Sequence, residues 1–295
     1  MRAFRVAYDG REYAGFQRQP HATTVEGTLL RALADHGLLD RGDGPTHATP
    51  PGYAAAGRTD AGVSAVAQTV AFEAPDWLTP RAFNGHLPGS IRVWAAADVD
   101  DGFHATHHAV RRRYRYHLYA PPSPVVNPEG DRATKDTRIE DRVVHDVLAR
   151  LSGEHDFHNL TTDDHGTTRD LQATATREGD VLVVEVAADG FPRALVRRLV
   201  AVVEIVGRGR AEPAFVGRLL ASEPISGEDG VGPAPPEPLV LWDVAYDGVE
   251  FAVDTQAAAS ALEIFNDRHR AARQSAATTG AIRDRIRSQT ATAET

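Results

Sequence analysis

The segment over residues 56–65 holds two side chains that could do chemistry together. Arg58 and Asp60 lie two residues apart, and Gly57 and Gly62 flank them. Glycine allows tight turns and close backbone approach that a side chain would forbid. A carboxylate held in such a turn beside a guanidinium stays ionised and can act as a nucleophile, provided that burial does not oppose its charge more. The alternative is an ordinary loop in which Arg58 and Asp60 form a surface ion pair of little energetic value.

A second group of chemically capable side chains lies along a predicted strand. Residues 112–116 read Arg-Arg-Tyr-Arg-Tyr. Neighbouring side chains of a strand point to opposite faces, so Tyr114, Tyr116 and Leu118 share one face while Arg113, Arg115 and His117 share the other. An aromatic face of this kind can stack on nucleobases. The spacing alone, however, favours tyrosines that belong to the core of a sheet.

Three histidines, His104, His107 and His108, invite comparison with a zinc site. Catalytic zinc usually has three protein ligands and one open position, but no companion motif such as His-Glu-x-x-His occurs here. The chain has no cysteine, which excludes disulfides, thiolate nucleophiles and cysteine-ligated metals. We therefore expect no metal ion.

Composition describes a globular protein. Of 295 residues, 42% are hydrophobic and 25% are charged, which is enough for a substantial core and two domains of ordinary size. No apolar run approaches the length of a membrane span, and the N-terminal residues do not resemble a leader. We expect a soluble, cytoplasmic protein.

The charge is unusual for a protein that binds nucleic acid. Net charge is −9, whereas such proteins usually carry a basic excess. Lys135 is the only lysine, so nearly all basic residues are arginines. An acidic, lysine-poor surface suits a cytoplasm of high salt, where hydrated carboxylates keep a protein soluble. Genomic base composition also replaces lysine by arginine, and both explanations stay open. Any RNA binding must then use local basic patches.

The first part of the chain has the pattern of an α+β unit. Period-two alternation predicts three strands, over residues 4–8, 66–73 and 91–95. Thr23 and Glu26 predict a capping box that opens a helix, which Gly37 can end. Residues 40–52, rich in glycine and proline, are predicted to form a loop.

The second part repeats this order of elements. Four strands are predicted, over residues 114–118, 170–176, 181–187 and 239–246. One helix is expected near residues 139–151, and a second is expected to open at Pro192, a residue favoured at the first helical position. That helix would place Arg193 and Arg197 on one face. Pro-rich loops are expected at 121–128 and 223–238.

These patterns predict a two-domain α+β protein with a tail. Residues 1–104 form the N-terminal domain that carries the Asp60 motif, and residues 105–250 form the C-terminal domain that completes a cleft. Residues 251–295, rich in alanine and arginine, form a helical or frayed tail.

Several segments in fixed order carry a resemblance to a known family. They are Tyr8-Asp9-Gly10, residues 15–19 (Gly-Phe-Gln-Arg-Gln), residues 56–65, Phe103-His104-Ala105, residues 112–116 and residues 191–200. The series resembles the TruA family of tRNA pseudouridine synthases from residue 3 to about residue 245. The resemblance implies two related strand–helix–strand domains that share a continuous, mostly antiparallel sheet, with a cleft between them. It also implies a homodimer that acts on tRNA without a cofactor.

The resemblance assigns roles to individual residues. These enzymes detach uracil N1 from ribose, rotate the base and rejoin it at C5, in the anticodon stem–loop at positions 38 to 40. Asp60 is implied as the nucleophile, attacking either C6 or C1′, and Tyr116 as the aromatic that stacks on uracil. Arg58 is implied to pair with Asp60 and to fill the space left by the extracted base. Arg197 is implied to meet the same carboxylate. Tyr114 has no assigned role and is predicted to be a core residue.

Two residues depart from the family pattern. Ser64 stands where the family usually has histidine, and Thr106 stands where it usually has arginine. The first changes a hydrogen-bonding partner near the Asp60 loop, and the second removes one basic contact. We expect these changes to affect RNA affinity more than chemistry.

Two rival interpretations stay open. A sheet with an aromatic face could be a non-catalytic RNA-binding module, in which case binding would not depend on Asp60. A metal-dependent hydrolase built on the three histidines is the less favoured rival, and chelators would abolish its activity.

Overall fold

The computed structural model describes residues 1–39, 48–122, 139–225 and 230–293. The strands in these ranges are β1 (Arg2–Tyr8), β2 (Ala54–Ala55), β3 (Ser64–Phe72), β4 (Ile91–Asp98), β5 (Ala109–Tyr119), β6 (Gly153–Asp156), β7 (Thr168–Glu178), β8 (Val181–Ala188), β9 (Leu239–Tyr246) and β10 (Ala252–Val253). The α-helices are α1 (Val25–Asp35), α2 (Pro80–Phe83), α3 (Asp141–Leu151), α4 (Leu195–Gly207), α5 (Ala214–Leu219) and α6 (Thr255–Ala293).

One continuous sheet joins the two halves of the chain. Its order is β10-β4-β1-β3-β9-β5-β8-β7-β6, with β2 paired to β3. The pairs are antiparallel except for β3 and β9, which run parallel with Ser64 opposite Val240 and Ala65 opposite Leu241. The predicted α+β class with a mostly antiparallel sheet is confirmed.

The N-terminal half packs an aromatic core against one face of the sheet. Phe4 of β1 stacks on Phe72 of β3 with ring centroids 5.3 Å apart, and Phe83 meets Phe4 edge-on at 5.5 Å. Leu29 and Leu33 of α1 are buried against them. The i, i+4 spacing of these leucines gives α1 the apolar face that holds it to the sheet.

The N-terminus of α1 differs from the predicted capping box. Thr24, not Thr23, is the N-cap, and its hydroxyl accepts a hydrogen bond from the Gly27 N–H at 3.2 Å. Glu26 does not reach back to the cap, because its carboxylate accepts the Arg18 N–H at 2.7 Å. A tertiary hydrogen bond from the preceding loop has displaced the local one.

The C-terminal half has a second, aliphatic core. Helices α3 and α4 cover β5, β7 and β8, and bury valine and leucine side chains such as Val184, Leu148 and Leu199. Each core also includes residues from the other half of the chain. Val63 packs within the C-terminal core, and Leu241 and Val244 pack within the N-terminal core. The domain limits at residues 104 and 250 stay a prediction.

The expectation that Pro192 opens a helix is wrong. Helix α4 begins at Leu195, whose N–H donates to the Pro192 carbonyl at 3.2 Å, so residues 192–195 form a turn. Ala194 has a left-handed backbone with φ 56°, a conformation that cannot continue a right-handed helix. Arg193 therefore lies outside the helix and does not share a face with Arg197, and its side chain is exposed toward Asp163 at 3.8 Å.

The remaining elements lie close to their expected limits. Parts of the predicted loops, over residues 40–47, 123–128 and 226–229, lie outside the described residues. The tail forms the long helix α6, which begins after β10 pairs with β4. Across the described ranges, none of the helices combines the length and apolarity needed to span a membrane.

Candidate active site

The Asp60 loop lies at one end of the four central strands, where β1 and β5 end and β3 and β9 begin. We call this end of the strands the active-site edge. The pairings Tyr8–Ala65, Ser64–Val240 and Arg115–Val240 place these strand ends side by side. Loops from both halves of the chain therefore converge at this edge.

Two glycines permit the close packing that shapes the loop. A Cβ on Gly10 would lie 1.9 Å from the Val63 carbonyl oxygen, which excludes any side chain at position 10. Gly62 has φ +83°, and a Cβ there would approach Pro236 Cγ to 2.9 Å. Gly62 thus serves the left-handed backbone expected in the motif, whereas a Cβ on Gly57 would meet nothing within 4 Å and its φ is not positive, so the structure does not require glycine at position 57.

Asp60 and Arg197 form an ion pair across the cleft between the two halves. Arg197 Nη1 of α4 donates to Asp60 Oδ2 at 2.9 Å, and the side chains are 36% exposed for Asp60 and 15% exposed for Arg197. Arg197 Nε also donates to the Ala234 carbonyl at 2.7 Å, which fixes the guanidinium plane. The contact implied by the resemblance is present, and the carboxylate keeps one oxygen free of it.

Arg58 does not pair with Asp60, which corrects the expectation for these two residues. Its side chain is exposed, and the described ranges record no hydrogen bond or ion pair for its guanidinium. The surface ion pair considered as the alternative is absent for the same reason. Within the described residues, Arg58 is instead an exposed cation without a recorded partner at the mouth of the loop.

The two tyrosines of β5 occupy different environments. Tyr114 is half-buried between the two cores and meets Phe191 edge-on, with ring centroids 5.2 Å apart. Burial raises the pKa of Tyr114 to about 12, and among the nearby charges Arg112 lowers this pKa while Asp60 raises it. The charge of the Asp60 carboxylate therefore contributes to the raised pKa of Tyr114.

Tyr116 lies deeper, within the C-terminal core. It is only 2% exposed, and burial raises its pKa to about 12, with Glu204, Arg197 and Glu237 as the nearby charges. Tyr116 is thus enclosed in the core, whereas Tyr114 is the tyrosine that has Asp60 among its nearby charges; the role implied for Tyr116 by the resemblance stays a prediction. Alternation put both rings on one face of the strand, and only the packing of the loops above that face separates them.

Arg112 is a positioning residue that the sequence analysis did not single out. Its buried guanidinium donates to the Ala56 carbonyl from Nε at 3.0 Å and from Nη2 at 2.7 Å, and to the Thr106 carbonyl at 2.7 Å. It also bonds the Asp189 carbonyl. These contacts tie the start of the Asp60 loop to both halves of the chain. A run of arginines on a strand was the available signal, but it did not identify which one is buried.

Other polar contacts hold the loop from beneath. The Tyr8 hydroxyl lies 2.8 Å from the Thr59 hydroxyl, and Gln68 Nε2 donates to the Gly57 carbonyl at 2.8 Å. The two departures from the family pattern also take part: Ser64 Oγ accepts the Gly10 N–H at 3.0 Å, and the Thr106 hydroxyl donates to the Ala55 carbonyl at 2.5 Å. Both residues that depart from the family pattern therefore form hydrogen bonds with neighbouring segments of the fold.

The three histidines form a turn. His104 Nδ1 accepts the N–H groups of Thr106 and His107 at 3.3 and 3.4 Å, and His108 Nδ1 accepts the His104 N–H at 3.2 Å. Partial burial lowers the pKa of His104, and His107 and His108 add to that effect. The Nδ1 atoms of His104 and His108 are engaged with backbone N–H groups, and in the described ranges no group of three or more His, Cys, Asp or Glu side chains could hold a metal ion.

Comparison with known proteins gives consistent matches. A family model described as tRNA pseudouridine synthase matches residues 147–247. A tRNA pseudouridine synthase A of Natronomonas pharaonis is 56% identical over 282 residues, covering 96% of this chain and 98% of that protein. The same enzyme of Haloarcula marismortui is 52% identical over 286 residues, covering 97% and 98%. One from Methanocella arvoryzae is 33% identical over 260 residues, covering 86% and 88%.

Proposed function

Because the chain belongs to the tRNA pseudouridine synthase family, we propose that it isomerises uridine in the tRNA anticodon stem–loop, at positions 38, 39 or 40, with Asp60 as the nucleophile. The observation that supports this most is the ion pair of Asp60 with Arg197 at an edge where both halves of the sheet meet. The same proposal includes a homodimer as the working form, since the resemblance implies tRNA that crosses two subunits.

The geometry of Asp60 suits a nucleophile. A charge-assisted hydrogen bond from Arg197 orients one carboxylate oxygen. The other oxygen is then available to a base brought into the cleft, and 36% of the side chain is accessible. The carboxylate oxygen that Arg197 does not bind can therefore contact a substrate while the ion pair stays intact.

Base extraction is the second requirement, because an enzyme that acts on a base must take it out of the stack. Arg58 is exposed two residues from Asp60 and carries a positive charge without a recorded partner in the described ranges. In the proposed reaction its guanidinium fills the space that the uracil leaves and contacts neighbouring phosphates.

Tyr114 is the aromatic residue that we assign to the base in place of Tyr116. The Asp60 charge acts on the pKa of Tyr114, and the ring is half-buried between the two cores. The ring can therefore stack on a uracil held by Asp60. With its pKa at about 12, the phenol stays neutral at physiological pH and can donate a hydrogen bond to the base. Tyr116, at 2% exposed, has no free ring face to offer.

In the isomerisation the N1–C1′ bond breaks, the uracil turns, and C5 bonds to C1′. The proton on C5 is lost and N1 gains a proton, so the reaction consumes no cofactor and releases no product other than pseudouridine. The residues of this chain need to hold the ribose, stabilise the detached uracil, supply one nucleophile and accept the proton that leaves C5.

The test is pseudouridine mapping on unmodified tRNA transcripts. The full chain in EDTA should form pseudouridine at one or more of positions 38 to 40, and Asp60→Asn should form none while retaining tRNA affinity. Asn keeps the shape of the side chain and removes its nucleophilicity. Pseudouridine elsewhere in tRNA, or turnover by Asp60→Asn, would refute the corresponding part of the proposal. Binding without turnover by the unmodified chain would favour the RNA-binding module, and loss of activity in EDTA would favour the hydrolase.

A further inference from the structure

Helix α6 carries a concentration of positive charge in an otherwise acidic protein. Residues 269–286 contain four arginines and one aspartate, whereas the whole chain has a net charge of −9. Arg273 and Arg285 are exposed, and the described part of the chain records no ion pair for either. The segment around them is exposed on nearly all sides.

The base of this segment is attached to Asp9 and Glu12, which flank the glycine that packs on the Asp60 loop. Arg268 Nη1 lies 2.8 Å from Asp9 Oδ2 and 2.7 Å from Glu12 Oε1. Asp9 also accepts the Arg11 N–H, at the start of the short 3₁₀ helix Gly10–Glu12. Gly10 in turn packs directly on the Val63 carbonyl of the Asp60 loop. The orientation of α6 is therefore set at the active-site edge of the sheet.

From Arg268 the helix runs alongside that edge. Asp284 raises the pKa of Arg283, and Tyr119, the last residue of β5, adds to this effect and so lies close to Arg283. Fifteen helical residues span about 22 Å, which exceeds the roughly 14 Å between β1 and β5 across β3 and β9. Helix α6 thus passes both halves of the sheet near the ends of these strands.

A groove of about 510 Å³ lies between α6 and Arg11. The helix lines it with small side chains, with the hydroxyls of Ser275 and Thr279, and with Arg283, while Arg11 faces them. The two guanidinium groups and the Ser275 hydroxyl can donate hydrogen bonds to phosphate oxygens, while the Thr279 hydroxyl already donates to the Ser275 carbonyl at 2.9 Å. Asp9 pairs with Arg11 and Asp284 pairs with Arg283. These ion pairs hold the two guanidinium groups in place at the groove.

We propose that residues 269–286 of α6, with Arg11, bind the phosphate backbone of the tRNA substrate. The inference rests on the proposed function, since it names a second contact surface for the same RNA. An acidic protein must bind a polyanion through local basic patches, and this helix is such a patch at the edge that holds Asp60.

The test compares two double variants of the full chain that change net charge equally. Arg273→Glu with Arg285→Glu alters α6, and Arg142→Glu with Arg150→Glu alters exposed arginines of α3 as the matched control. We expect the α6 variant to lose tRNA affinity roughly tenfold or more and to show a salt slope shallower by about one to two. The control should stay within about twofold of the unmodified chain, which is the change expected from net charge alone.

Turnover at saturating tRNA and sedimentation mass separate the other outcomes. Equal affinity for the α6 variant and the control would overturn the proposal. The proposal would also be overturned if the α6 variant changed its sedimentation mass but kept its affinity for tRNA. That result would mean that the helix binds a second copy of the chain. Failure of the unmodified protein to form pseudouridine would refute the proposed function instead, and the comparison of affinities would still judge α6.

Discussion

Arg197 reaches Asp60 from the opposite half of the chain, with Nη1 2.9 Å from Oδ2 and a separation of 137 in residue number. The arginine beside Asp60 in sequence, Arg58, does not make this contact. The carboxylate is therefore oriented by a helix that forms only when the C-terminal core has assembled.

Arg197→Gln should lower kcat about a hundredfold, because removing one preorganised charged donor from an active site has costs of this order. Affinity for tRNA should change much less, since the guanidinium faces Asp60 and Ala234. Single-turnover kinetics at saturating tRNA measure the effect. Arg193→Gln is the control, because Arg193 lies outside α4 and is exposed. Equal loss in both variants would contradict a specific role for Arg197.

Arg58→Ala should lose turnover and keep its stability. The side chain is exposed without a recorded contact in the described residues, so the free energy of unfolding should change by less than about 0.5 kcal/mol. Thermal unfolding and pseudouridine formation measure the two quantities. Arg31→Ala, at an exposed position of α1, should leave both unchanged. A joint fall in stability and turnover would indicate a structural ion pair instead.

Tyr114→Phe and Tyr116→Phe distinguish the two aromatic assignments. Loss of the Tyr114 hydroxyl should reduce kcat by roughly a hundredfold if it contributes to proton transfer or to holding the base. Tyr116→Phe should retain near-normal turnover, because that ring is 2% exposed within the C-terminal core. The reverse pattern of turnover would restore Tyr116 to the role implied by the resemblance and return Tyr114 to the core.

Arg112→Met should destabilise the protein and its active site together. The substitution leaves the carbonyls of Ala56 and Thr106 without their donor. We expect the free energy of unfolding to fall by about 2 to 4 kcal/mol, since each lost hydrogen bond to a charged group costs on this scale. Denaturant unfolding measures it, with Arg113→Met, a part-exposed neighbour paired with Glu185, as the control. An unchanged midpoint would show that the loop does not depend on Arg112.

Salt dependence tests the acidic, lysine-poor composition. A protein with net charge −9 and few basic patches should neutralise few phosphates, so its tRNA affinity should fall gently as salt rises. If the composition reflects adaptation to high salt, stability should increase toward molar KCl, where repulsion among carboxylates is screened. Affinity and thermal stability measured from low to molar KCl test both halves. A steep loss of binding, or greatest stability in dilute buffer, would favour genomic base composition.

Local pattern determined much of this protein without its structure. The alternation of apolar residues identified β9 at its full extent, Leu239–Tyr246, and placed the other main strands within a few residues, because strand faces differ in burial at every second position. The motif around Asp60 and the order of the other motifs indicated the family, which the comparisons then confirmed. These features depend on residue type and short spacing, which a sequence displays directly.

Long-range packing decided the rest. Which arginine meets Asp60, and which tyrosine has it as a nearby charge, depends on contacts between segments far apart in the sequence, where several side chains of the same type compete. The start of α4 at Leu195, after the left-handed Ala194, also departed from the local preference of Pro192. The path of α6 was set by two contacts that local pattern did not reveal: Ala257 and Ala261 are buried at its start, and Arg268 pairs with Asp9 and Glu12.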